Sequence, residues 1–190
     1  MGATVIVASR SEQRCLQTVE KIKRSFPGSK GTVQPKTLDL SDLQSVHFFA
    51  TWFLSNFQQL DILVNNGAIN YVTNSSKSTE EAPLKSKQGY DLCFASNYLG
   101  HFLLSDLMLP ILKKTPRARI MQISSNAQFS VDGKDLIPSS SKKTPVAAAF
   151  RVNDATHRSR SYGNSKLAQM LHAQALQRIL DLDNSTDLKV

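Results

Sequence analysis

Tyr162 and Lys166 lie four residues apart and are the side chains of this 190-residue chain whose types and spacing could do chemistry. Apolar residues follow them at helical spacing, so the pair is predicted to open a helix over 162–182 and to share one of its faces. An ammonium group close to a phenol favours the phenolate, and such a tyrosine can exchange a proton with an alcohol or carbonyl oxygen near neutral pH. The spacing alone is common by chance, so the rest of the sequence must decide.

Short apolar stretches alternate with amphipathic ones along the chain, which is typical of a parallel sheet built from βαβ units. The predicted strands are Thr4–Ser9, Thr32–Leu38, Ile62–Asn65 and Ile120–Ser124. The predicted helices are Glu12–Ser25, Leu43–Asn56, Tyr90–Lys113 and Tyr162–Leu182. Ser11 and Ser41 are predicted to cap the first two helices. The segments 70–88 and 126–160 are predicted to be irregular, and both follow a strand end, where open α/β sheets bind ligands.

The composition, with 41% hydrophobic and 20% charged residues, is that of a globular domain. The net charge of +8 raises nucleic acid as a partner. However, the cations are scattered, and the densest group, at 113–119, lies where a predicted helix ends and cations complement its dipole. Nucleic-acid binding is therefore disfavoured.

No apolar run is long enough to cross a bilayer, and residues 4–8 are interpreted as a strand and not as a signal peptide. A cytoplasmic location is expected, while membrane association through a further N-terminal segment stays open. Cys15 and Cys93 have no metal-ligand or redox spacing, so no metal site is predicted.

Three further stretches could place polar groups beside the Tyr162–Lys166 pair. Asp61–Ala68 is a buried strand that ends in two amides and a glycine, and Asn97 lies within a predicted helix, where asparagine needs a specific bonding role. Ile120–Ser125 places two hydroxyls at a strand end. A strand-end hydroxyl and a phenol at the start of a helix can converge at the carboxyl edge of a parallel sheet, where together they could hold one substrate oxygen.

In this order, the stretches Asn97–Leu104, Ile123–Ser125 and Tyr162–Lys166 resemble the short-chain dehydrogenase/reductase family, and within it the retinol dehydrogenase-like group. The resemblance covers nearly the whole chain. It implies hydride transfer between an alcohol and a carbonyl compound with NADP(H) as cofactor, and a small-molecule substrate similar to retinol or a lipophilic aldehyde. A homodimer is a further option.

The resemblance also implies catalytic roles. Tyr162 would be the general acid/base, while Lys166 would stabilise its phenolate and hold the nicotinamide ribose. Ser125 would orient the substrate oxygen. Asn97 would anchor a water in a proton relay to Lys166.

Four residues are expected to bind the cofactor besides Tyr162 and Lys166. Asp39 and Leu40 match the family's pair that contacts adenine, and Asn66 lies in its cofactor-lining turn. Arg10 closes the first strand, where an arginine suits the 2′-phosphate of NADP and an acidic residue would suit NAD. NADP is therefore favoured, and NAD is less expected.

The family's glycine-rich turn has no counterpart in this sequence, because the strand at Thr4–Ser9 matches the family's second strand. The resemblance therefore implies a chain truncated at both ends, with 1–190 forming a single partial domain. Its fold would be an incomplete Rossmann-type doubly wound parallel sheet that lacks the first, central strand and the C-terminal strands. Residues 188–190 are expected to begin the next strand.

Two functions remain open at this stage. The first is an NADP-dependent oxidoreductase, indicated by the set of catalytic residues. The second is a catalytically inactive truncated isoform or relic that acts as an interaction module, indicated by the missing phosphate-binding turn.

Overall fold

The computed structural model describes residues 2–70, 85–136, 155–183 and 186–190. Its strands are β1 (Thr4–Ser9), β2 (Thr32–Thr37), β3 (Ile62–Asn65) and β4 (Arg119–Gln122). Its helices are α1 (Glu12–Ser25), α2 (Leu43–Asn56), α3 (Leu92–Phe94), a π-helical turn (Ala95–Leu99), α4 (Gly100–Lys114) and α5 (Ala155–Asp181). Two 3-10 turns follow β4, at Asn126–Ser130 and Lys134–Leu136. The alternation of strands and helices is the one that the sequence predicted.

β1, α1 and β2 form a βαβ unit, in which the two strands pair in parallel with Thr4 opposite Thr32. The predicted cap of α1 is confirmed, because the Ser11 side chain accepts a hydrogen bond from Arg14 N at 3.3 Å. This bond satisfies one of the free N–H groups at the start of the helix.

The predicted cap of α2 is wrong, because the cap is Asp42 and not Ser41. The Asp42 side chain accepts from Gln44 N at 3.1 Å. The Ser41 hydroxyl instead donates to Asp39 Oδ1 at 2.6 Å, so Ser41 closes the turn before the helix and does not cap it.

β3 and β4 form a second parallel pair, with Asn65 opposite Gln122. Lys189 makes a parallel bridge to Arg119 on β4, so the strand expected at 188–190 does begin beside β4. In the described part of the chain, β1–β2 and β3–β4 are separate sheets. A Rossmann sheet places one further strand between the positions of β1 and β3, so the arrangement is the incomplete doubly wound sheet that the sequence predicted.

The core forms where α2 and α4 pack over one side of the strands. Its buried side chains come from both helices and from β4, and they include Val46, Phe49, Met108, Leu112 and Ile120. This packing fixes α4, and with it the π-helical turn that precedes α4, relative to the carboxyl ends of β3 and β4. No helix in the described ranges is both long and apolar enough to span a membrane.

Two predicted helix boundaries differ from the structure. The helix predicted over 90–113 is divided into α3, the π-helical turn and α4. α5 begins at Ala155, so Tyr162 lies two turns inside the helix and does not open it. No proline or glycine interrupts residues 155–161, so the helix can extend toward its N-terminus. The segment 126–160 is thus partly helical, whereas most of 70–88 lies outside the described residues.

Candidate functional site

Asn97 is fully buried in the π-helical turn between α3 and α4. Its amide holds the backbone of Ile69 through both ends: Oδ1 accepts from Ile69 N at 2.8 Å, and Nδ2 donates to Ile69 O at 2.9 Å. Ile69 follows β3, so these bonds tie the turn to the carboxyl edge of the β3–β4 sheet. They also explain an asparagine inside a helix, and π-helical turns are frequent at functional sites.

The Asn97 amide also reaches α5, because its Nδ2 lies 3.0 Å from Ser165 Oγ. Ser165 Oγ donates in turn to Tyr162 O at 2.7 Å. Ser165 lies next to Lys166 in the chain, so one hydroxyl connects the predicted Asn97 position to the Tyr162–Lys166 pair. No local sequence pattern marks Ser165 as part of the site.

Lys166 is only 2% exposed. Its Nζ donates to Ile123 O at 2.7 Å and to Gln169 Oε1 at 2.9 Å, and it lies 5.8 Å from the centre of the Tyr162 ring. Burial lowers the pKa of Lys166. Tyr162 and Lys166 therefore share one face of α5, as the sequence predicts. The ammonium is held at the end of β4 by the bond to Ile123 O.

The two serines after β4 have different contacts. Ser125 Oγ accepts from Ala127 N at 3.3 Å and so caps the first 3-10 turn. Ser124 Oγ donates to Lys166 O at 3.0 Å, which attaches α5 to the end of β4. No described hydrogen bond joins Ser125 to Tyr162, although both are half-buried and belong to adjacent elements.

Gly163 determines how closely α5 approaches the turn that Ser125 caps. A Cβ atom at this position would lie 2.8 Å from Ala127 O and 2.9 Å from Val131 Cγ1. Real Cβ atoms do not tolerate such distances, so a glycine is needed for this packing. Gly163, the residue next to Tyr162, thus allows the phenol to lie beside the Ser125 segment, and no local sequence pattern marks this role.

Asp91 was also missed, although an acidic residue just before a helix is a capping signal. It is buried, and its Oδ1 accepts from Phe94 N at 2.7 Å and from the Ser161 hydroxyl. Asp91 therefore joins the start of α3 to the residue before Tyr162. The neighbouring Cys93 thiol is also buried, and burial raises its pKa to about 11, so it stays protonated near neutral pH.

The predicted cofactor residues lie at the carboxyl edges of both sheets. Arg10 follows β1 and is exposed, while Asp39 and Leu40 follow β2 and are half-buried. Asp39 Oδ1 accepts from Ser41 N at 2.9 Å, so this carboxylate also holds its own turn. Asn66 follows β3 and is exposed. The structure thus places these groups on the edge where Rossmann sheets bind nucleotides.

The side chains of this edge could hold a dinucleotide at its two ends. Lys166 donates two hydrogen bonds and carries a third N–H, which could bind a ribose hydroxyl. Gln122, at the end of β4, has a buried amide whose two polar atoms have no hydrogen-bond partner. Arg10 could pair with a phosphate at the other end. The sequence supplies no glycine-rich turn between these ends for a pyrophosphate.

The fold and this site define a Rossmann-type α/β protein with a Tyr–Lys pair on the helix that packs over the carboxyl edge. A family model described as short chain dehydrogenase matches residues 1–149. The chain belongs to the short-chain dehydrogenase family.

Similar proteins include the short-chain dehydrogenase TIC 32 A, chloroplastic, of Brassica napus, which is 32% identical over 187 residues, covering 94% of this chain and 51% of that protein. Retinol dehydrogenase 12 of Mus musculus is 32% identical over 179 residues, covering 94% of this chain and 49% of its own length. A solved metagenomic short-chain oxidoreductase in complex with NADP superposes with a TM-score of 0.63 at 20% identity, covering 95% of this chain and 66% of that one.

The chain spans about half the length of the two curated relatives it matches here. The retinol dehydrogenase-like relatives predicted from the sequence are confirmed as similar proteins.

Proposed function

We propose that this chain carries the proton-transfer half of an NADP(H)-dependent oxidoreductase site that interconverts an alcohol and a carbonyl compound. The observation that carries the proposal is the buried Lys166 ammonium, held at the end of β4 and facing the Tyr162 ring at 5.8 Å. A buried cation next to a phenol is expensive to maintain and has a direct use in stabilising a phenolate.

Tyr162 is the proton donor and acceptor for the substrate oxygen in this proposal. Lys166 stabilises the phenolate and binds the ribose through its third N–H, and Ser125 holds the substrate oxygen. Asn97 anchors a water in the proton relay to Lys166, and its amide also ties the π-helical turn to α5 through Ser165. A bound nicotinamide supplies the hydride, so the side chains only bind, orient and move the proton.

The cofactor is NADP in this proposal, because Arg10 is an exposed cation at the end of β1 and no acidic residue occupies that position. The substrate is a lipophilic alcohol or aldehyde, supported by the similar protein that is named retinol dehydrogenase 12. A cytoplasmic location and a homodimer belong to the proposal as well. Subcellular fractionation and light scattering of the purified protein test these two points.

The alternative function is a catalytically inactive interaction module. It is favoured by two observations: the sequence has no glycine-rich phosphate turn, and the strands β1 and β3 share no ladder in the described residues. Such a protein would keep the polar network of Lys166 as a relic but would not bind the cofactor.

Titration of the purified chain with NADPH, followed by nicotinamide fluorescence, separates the two functions. We expect saturable binding at micromolar concentration that Lys166→Met weakens about 10-fold or more, because the substitution removes a charged donor. Lys114→Met is the matched control, since Lys114 is exposed at the end of α4 and is not one of the residues assigned to the site. Absence of saturable binding by the unmodified chain would overturn the proposal in favour of the inactive module.

A second titration examines cofactor choice. Arg10→Glu is expected to weaken NADPH binding and to spare NADH binding, since it replaces the cation that would pair with the 2′-phosphate. Equal loss for both cofactors would contradict the assigned role of Arg10.

A further inference from the structure

Lys166, Gln169 and His101 form a buried polar chain between α5 and α4. They are 2%, 1% and 3% exposed, respectively. Gln169 lies one turn after Lys166 and accepts from its Nζ at 2.9 Å. Gln169 Nε2 lies 3.4 Å from His101 Nδ1, and that ring nitrogen lies 2.8 Å from Asn97 O. The chain therefore runs from the ammonium to the backbone of the π-helical turn.

The orientation of each group follows from its partner. Lys166 has only donors, so the Gln169 oxygen must face it and the Gln169 NH2 must face His101. A carbonyl oxygen only accepts, so the proton of the His101 ring must lie on Nδ1 in its bond to Asn97 O. The contact between Gln169 Nε2 and Nδ1 is then between two donors, and it acts as packing.

His101 adds no charge beside Lys166. Burial, together with the positive charge of Lys166, lowers the pKa of His101 to about 4. The ring is therefore neutral at neutral pH. Among the residues that the structure describes, the titratable groups that face Lys166 are Cys93 from α3, His101 from α4 and Tyr162 from α5.

Resting on the proposed function, we propose that Gln169 and His101 are positioning residues for Lys166. The Gln169 amide holds the ammonium beside Tyr162 through a hydrogen bond, and the neutral His101 ring, fixed by its bond to Asn97 O, packs against that amide. The third N–H of Lys166 is left for a ligand.

The test uses four variants of the chain and one control. Gln169→Leu removes the acceptor for the ammonium, while Gln169→Glu keeps an acceptor and adds a negative charge. His101→Phe removes the donor to Asn97 O, and His101→Asn retains a donor near the position of Nδ1. Gln174→Leu is the control, because Gln174 is an exposed residue of the same helix.

Two quantities are measured for each variant: the NADPH dissociation constant and the titration of Lys166 by NMR of isotope-labelled lysine, assigned with Lys166→Met. We expect Gln169→Leu and His101→Phe each to weaken NADPH binding about 10-fold, since the first removes the acceptor of the ammonium and the second removes the bond to Asn97 O that fixes the ring packed against Gln169. His101→Asn should bind within about 3-fold of the unmodified chain, as should Gln174→Leu.

The direction of the Lys166 titration separates positioning from mere packing. It should move to lower pH in Gln169→Leu, which loses an acceptor of the charged form, and to higher pH in Gln169→Glu, which gains an opposite charge. An unchanged titration in both variants overturns the proposal, even if the thermal unfolding temperature falls. If Gln169→Leu does not fold, the Lys166 titration in Gln169→Glu and the NADPH affinities of the two His101 variants decide between positioning and packing. If no variant binds NADPH, the proposed function fails, but the titration still decides the role of Gln169.

Discussion

Lys166 and His101 show how burial decides the chemistry of a titratable side chain. Burial is the main cause that lowers the pKa of each, because both are cations in their protonated form and lose hydration. The ordinary pKa of a histidine is already close to neutral pH, so His101, with a pKa of about 4, is neutral there. Burial therefore turns His101 into an uncharged hydrogen-bond donor for Asn97 O.

The lowered pKa of His101 predicts that the chain loses stability in mild acid. Its pKa is about 4 in the folded chain and about 6.5 in the unfolded chain, so the unfolded chain binds more protons between these values. The contribution of the neutral His101 ring to the free energy of unfolding is complete above about pH 6.5 and is lost as the pH falls toward 4. The difference between the two pKa values corresponds to a loss of about 3 kcal/mol.

The measurement is urea unfolding of the unmodified chain and of His101→Asn at several pH values. The difference in unfolding free energy between them should change by a few kcal/mol from pH 7 to pH 4, since asparagine does not titrate. A pH-independent difference would show that His101 does not titrate as its burial implies.

α5 illustrates how an element can be predicted while its placement cannot. Its helical pattern is visible from the sequence, and so is the four-residue spacing of Tyr162 and Lys166. Its first turns precede the predicted start, because helix boundaries depend weakly on pattern. Its distance from the 3-10 turn after β4 depends on Gly163, which nothing in the local pattern marks as a contact.

Gly163→Ala is expected to destabilise the chain by about 1–3 kcal/mol, because the new Cβ would overlap the turn and force α5 away from it. The measurement is the urea midpoint, together with NADPH affinity as a readout of the site. Gly28→Ala is the matched control, since a Cβ there meets nothing within 4 Å. Equal effects of both substitutions would mean that the close approach at Gly163 is not maintained in solution.

At the scale of the whole molecule, the β3–β4 sheet has two unlike faces. Leu63 and Ile120 point toward the core, while Ile62, Val64, Met121 and Ile123 alternate with the core-facing residues and are exposed by 55%, 52%, 47% and 37%. Alternating side chains of paired strands lie on one face, so these four residues form an apolar patch. Contiguous apolar surface of this kind promotes association.

This patch predicts that the purified chain binds the apolar dye ANS. Val64→Lys and Met121→Lys should each reduce the dye fluorescence, because each introduces a charge into the patch, with little change in unfolding free energy for an exposed site. Leu182→Lys is the control, since Leu182 is 85% exposed at the end of α5 and outside the patch. If the control reduces the fluorescence as much as the patch variants do, the dye does not report this sheet face.

The sequence by itself determined the order of strands and helices, the capping of α1 by Ser11, and the family to which the chain belongs. Periodicity and capping act over a few residues, so they can be recognised without a structure. The Tyr162–Lys166 pair has the same local character, because a four-residue spacing on a helix fixes which side chains share a face.

Only the tertiary structure decided what surrounds that pair. Gln169 contacts His101 across 68 positions of sequence, and Asn97 contacts Ser165 across the same separation. Ser124, and not Ser125, donates to Lys166 O, although the two serines are adjacent in sequence. Such contacts arise because α4 and α5 both pack over the carboxyl edge of one sheet. Burial and hydrogen-bond partners follow from that packing, and no local pattern encodes them.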